Sequence, residues 1–116
     1  MNKTETIEKF LPLSEATFYI LLALAEPTHG YAVMQNVEEV SAGTVKLGPG
    51  TLYGAFSTLE ESKLIVKVSE ENRRKSYVLT EKGVLVLAEQ VRRLELMTRN
   101  GQRVLTQLRN GETKND

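Results

Sequence analysis

With 116 residues, 41% of them hydrophobic and 26% charged, the chain suits one domain with its own core and is too ordinary in composition to be disordered. The absence of cysteine excludes disulfide staples and thiolate ligands. Fifteen bases balance fifteen acids, but unevenly: residues 1–45 carry −4, residues 46–82 carry +2 and residues 83–116 carry +2.

The longest apolar run, Phe18 to Ala25, falls well short of the roughly 20 residues a bilayer span needs. Met1 to Glu5 lacks the basic-then-apolar order of a secretion signal, so a cytoplasmic protein is expected. Ser14 caps a first helix whose apolar residues (Ala16, Phe18, Ile20, Leu21, Leu22 and Leu24) surround most of its circumference, and Pro27 closes it. Thr28 and Gly30 open a second helix with Tyr31, Val33, Met34, Val37 and Val40 on its apolar side, ending at Ser41-Ala42-Gly43. Thr44 to Leu47 reads as a short extended link.

Gly48-Pro49-Gly50-Thr51-Leu52-Tyr53 starts a third helix abruptly. Gly48 can cap it, and Pro49 presets φ at the first helical position, where no N–H is missed. Leu52, Ala55, Phe56 and Leu59 then bury one face to about Ser62, leaving Thr51, Tyr53, Gly54, Ser57 and Thr58 on the others. Leu64 to Val68 and Ser76 to Leu79 have the β-branched, alternating character of strands, with Ser69 to Lys75 as the polar tip of a hairpin.

Thr80-Glu81 opens a last helix in which Val84, Leu87, Val91, Leu94, Leu105 and Leu108 keep a heptad step. Asn100-Gly101 can end a helix, but the heptad phase persists across it, so one continuous or kinked helix is expected. Residues 81–109 as one helix span ~43 Å, whereas the preceding ~80 residues fold to a ball ~30 Å across. Part of the stripe must therefore overhang, and pairing with a second copy would cover it.

The expected architecture is mostly α with a small β-hairpin wing. A winged helix-turn-helix occupies residues 1–80, a dimerisation helix residues 81–110 and a flexible tail residues 111–116. Such a fold places its third helix in the major groove of DNA. Thr51, Tyr53, Gly54, Ser57 and Thr58 are then the candidates for base edges, and Lys46, Lys67, Asn72, Arg73, Arg74 and Lys75 for backbone or minor groove. Tyr31, with the N–H groups around it, can take a phosphate. The polar outer face of the third helix disfavours the competing class, a winged-helix module that binds only protein. His29, the sole histidine, reads as a turn residue; no metal, cofactor or nucleophile constellation is present, so no enzyme is expected.

These residues resemble the PadR-like transcriptional regulators. The resemblance rests on Leu13-Ser14 with Ile20-Leu21-Leu22-Ala23-Leu24, His29-Gly30-Tyr31, Leu47 to Tyr53, Leu59-Glu60 with Leu64-Ile65, and Arg74 to Gly83. It implies a homodimeric bacterial repressor on a palindromic operator, of the subgroup with a single C-terminal dimerisation helix. Similar drug-sensing members hold planar compounds between subunits against an aromatic of that helix. This chain has no aromatic after Tyr77 and offers Leu94 and Met97 instead.

Overall fold

The computed structural model describes residues 7–115, with side chains through Gly111. The elements are α1 (Glu15–Ala23), β1 (Thr28–His29), α2 (Gly30–Val40), α3 (Pro49–Glu61), β2 (Ile65–Glu71), β3 (Arg74–Leu79) and α4 (Glu81–Asn115). The fold is four helices with a small antiparallel sheet, a winged helix-turn-helix carrying a long terminal rod.

Ser14 is extended and its hydroxyl accepts from the Thr17 N–H at 3.1 Å, satisfying one of the orphan donors at the start of α1. Ile20 and Leu21 of α1, with Leu24 just after it, are fully buried against Val33 and Val37 of α2, Leu52 and Phe56 of α3, and Leu64 and Ile65. One core thus fixes all three helices of the helix-turn-helix.

Thr28, expected to open the second helix, lies instead in a strand. Thr28 and His29 pair antiparallel with Tyr77 and Ser76, giving a three-stranded sheet of order β1-β3-β2. The free edge of β3 supplies partners for backbone groups that a two-residue segment could not satisfy itself.

Between α2 and α3 the chain turns through Ala42 (φ 54°) and Gly43 (φ 78°), with the Gly43 N–H donating to the Glu38 carbonyl at 2.8 Å. That is the Schellman closure of a helix, with alanine where glycine is usual. The buried Ser41 hydroxyl accepts from the Val45 N–H at 3.0 Å, tying the turn to the link that aims α3.

The wing differs from expectation in its tip. The strands continue to Glu71 and resume at Arg74, so the turn is only Asn72-Arg73, with φ of 52° and 66°. Two left-handed residues make a type I′ turn, whose twist matches the strands. The sequence signal is weak because arginine stands where glycine normally follows asparagine. A register irregularity at Lys67/Ser69 bends β2.

Helix α4 is continuous through Asn100-Gly101 and its helical backbone runs past residue 110 to Asn115, beyond the expected boundary of a tail. Asp116 lies outside the described residues. Thr80 caps α4, its hydroxyl accepting from the Gly83 N–H at 3.0 Å. Val86 and Gln90 press the first turns onto the domain, and the Gln90 Oε1 accepts from the Leu13 N–H at 2.6 Å. From Leu94 to Asn110 every residue is exposed, and the molecule extends 66 Å along its longest axis.

Candidate nucleic-acid interface

A groove of about 570 Å³ opens between the start of α2, the outer flank of α3 and the wing. Tyr31, Tyr53 and Ser57 line one wall and Asn72, Arg73, Arg74 and Lys75 the other. Phe56 and Tyr77 form its floor: their ring centroids are 5.0 Å apart, and Tyr53 stands edge-on to Phe56 at 6.1 Å. This aromatic ladder packs α3 against the wing.

The ladder depends on a missing side chain. Gly30 is buried, and a Cβ there would meet the Tyr53 Oη at 2.6 Å and the ring at 2.8 Å. Tyr53 therefore lies across the Gly30 backbone with its ring half exposed, and Tyr31 stands beside it, 61% exposed. Burial pushes the Tyr77 hydroxyl above its usual range, with the Glu60 carboxylate adding to the effect. It stays neutral beneath the groove.

The wing is basic, with Lys67, Arg73, Arg74 and Lys75 against Glu70 and Glu71. Strand register sets Glu70 opposite Lys75 and Glu71 opposite Arg74, while the Lys67 Nζ meets the Glu70 Oε1 at 2.9 Å. That hydrogen bond raises Lys67 and lowers Glu70 from their ordinary values. Arg73, at the apex, has no acid facing it across the ladder. It is the wing cation most available to an external anion.

Five of the candidate residues lie outside this groove. Lys46 is exposed in the link, Thr51 is exposed on the first turn of α3, and Lys67 is engaged with Glu70. Gly54 and Thr58 line a separate groove of about 380 Å³ facing Phe10, Leu13 and Thr17, and the Thr58 hydroxyl donates to the Gly54 carbonyl at 3.2 Å. Tyr53 and Ser57, four apart, thus share one flank of α3, and Gly54 and Thr58, also four apart, share the other.

Sequence reasoning passed over three contributors. His29 lines the groove because β1 pairs with β3, a pairing no local pattern announces. Val86 and Gln90 hold α4 to the domain, one position off the heptad stripe. Of that stripe Leu87 packs against the core, whereas Val84, Val91, Leu94, Leu105 and Leu108 are exposed, joined by Met97 and Val104.

Among the described residues no group of three or more His, Asp or Glu could hold a metal, and no helix is long and apolar enough to cross a membrane. The profile of the transcriptional regulator PadR-like family matches residues 19–89. An uncharacterized 37.1 kDa protein in a Streptomyces fradiae transposon is 41% identical over 71 residues, 60% of this chain and 20% of that protein. The transcriptional regulator YqjI of Escherichia coli is 30% identical over 91 residues, 78% of this chain and 44% of its own length. The chain therefore spans less than half of the curated relatives it matches. A PadR family transcription regulator from Clostridium difficile superposes with a TM-score of 0.65 at 21% identity, covering 79% of this chain and 99% of that one. The match spans the helix-turn-helix, the wing and the first turns of α4, and the chain belongs to the PadR-like family of transcriptional regulators.

Proposed function

We propose that the chain binds double-stranded DNA sequence-specifically as a homodimer, repressing transcription from a pseudo-palindromic operator. The observation that carries this is the convergence of Tyr31, Tyr53, Ser57 and the Asn72 to Lys75 turn on one groove beside α3. In this reading α3 enters the major groove with Thr51, Tyr53, Gly54, Ser57 and Thr58 toward base edges. The wing tip takes the flanking minor groove, and Lys46 and Tyr31 take phosphates. Hydroxyl readers discriminate less than a bidentate arginine, so affinity rests heavily on backbone contacts.

The bare row of Val91, Leu94, Leu105 and Leu108 on α4 supports dimerisation, with Val84 and Leu87 at its base. Exposed aliphatic residues at helical spacing lose free energy in water that pairing recovers, at ~1.5–3 kcal/mol for each side chain fully buried. A small effector lodged between α1 and the terminal helices would release DNA if it bound better to a subunit spacing that misaligns the reading heads. With no aromatic after Tyr77, such an effector meets aliphatic and thioether surface, not a stacking ring.

Titrating the protein with duplex from its own promoter region at increasing salt tests the proposal. Binding that weakens steeply with salt, and persists against competitor DNA only for particular sequences, is the expected result. Binding that is absent, or equal for all sequences, defeats it.

A further inference from the structure

His29 borders two surfaces at once. On the inner side it lines the groove with Tyr31, Tyr53 and Arg73. On the outer side it shares a second depression, of about 380 Å³, with Ser69, Glu71, Asn72, Arg74 and Ser76. Its backbone is held by pairing with Ser76 of β3, and its imidazole makes no capping bond to α2 and has no hydrogen-bond partner among the described residues. A half-buried ring with fixed backbone and free nitrogens, at the edge of a cation-lined groove, is placed to meet an anion.

We propose that His29 is a further contact to the duplex, its protonated imidazole donating to a backbone phosphate oxygen. This rests on the groove being the DNA-binding face. The charged and titratable groups around it are Arg74, Lys75 and Tyr77 from β3, Arg73 from the turn, Glu71 from β2, Tyr31 from α2 and Tyr53 from α3. Three cations against one carboxylate draw an anion to this edge, and a phosphate seated there favours the charged form of the imidazole it touches. Binding then draws one proton from solvent onto each His29, so affinity rises on acidification across the range where an imidazole changes charge.

Fluorescence anisotropy with a mixed-sequence duplex of about 40 base pairs at roughly 50 mM salt suffices, since a phosphate contact is independent of sequence. From about pH 5 to pH 8 the wild type should weaken by up to ~tenfold per pH unit for each coupled proton, whereas H29Q should be flat and match the wild type at the alkaline end. An equal slope in H29Q overturns the proposal while leaving duplex binding intact. No binding by either protein at any pH overturns the DNA-binding reading as well. His29 is the only histidine, so its NMR signal is unambiguous. Its titration should move to higher pH when the duplex is added, and an unmoved titration overturns the proposal whatever the state of the variant.

Discussion

Gly83 sits where α4 crosses the backbone after α3, and a Cβ there would penetrate the Leu64 carbonyl oxygen. Backbone cannot swing aside as a side chain can, so G83A should lower stability by about 1–3 kcal/mol, read as a reduced urea midpoint at unchanged slope. A wild-type midpoint would show that α4 can shift without cost. The opposite sign is expected at Ala42 and Lys63, both left-handed closures of helices at φ 54° and 64°. A42G and K63G remove a steric penalty of roughly 1 kcal/mol each, partly offset by the greater freedom of glycine in the unfolded chain. Thermal unfolding of the two variants above the wild-type midpoint is the expected outcome. Gly30 and Gly83 are both plain in the sequence, but what they touch is not. Closeness to Leu64 or Tyr53 is a property of packed elements.

At the scale of elements, the proposed function gives the wing and α4 separate tasks. Replacing Arg73 and Arg74 by alanine should weaken DNA binding for all sequences alike and flatten the salt dependence by up to ~0.9 in log–log slope for each phosphate no longer neutralised. An unchanged slope would remove the wing from the interface. On α4, Glu89 meets the Arg92 guanidinium at 2.7 Å and that of Arg93 at 3.1 Å, and these bonds hold its carboxyl at about 2, below the usual 4.5. A depressed carboxylate stabilises the fold above its unfolded value and ceases to do so as pH falls toward its folded one. The helicity of the wild type should therefore exceed that of E89Q near neutrality and converge with it between pH 4.5 and about 2. Curves that stay parallel through that window would show the ion pairs to be without effect. The helices were legible because caps, proline and apolar spacing are local. The two-residue turn was not, because Asn72-Arg73 adopts a glycine-like geometry under the pull of strands on either side.

For the whole molecule, the proposed dimer makes the distance between its two DNA-reading domains the governing quantity. If α4 pairs two copies, charges placed in the bare row should separate them: L94K with L105K is expected to yield folded monomers by sedimentation that bind DNA far more weakly. A dimer persisting in that variant would move the interface elsewhere. Inserting about half a helical turn between half-sites, near 5 base pairs, should abolish binding, and inserting about 10 should restore part of it.

The fold class, the helix-turn-helix, the wing and the apolar stripe were determined by sequence alone, because capping, turn chemistry and hydrophobic period act over a few residues. Tertiary structure decided which candidates share a groove. It separated Ser57 from Thr58, brought His29 beside the wing through β1, and turned Val86 and Gln90 inward while leaving Leu94 to Leu108 bare. Those outcomes depend on how rigid elements meet across a common core, and neighbours along the chain carry no record of neighbours in space.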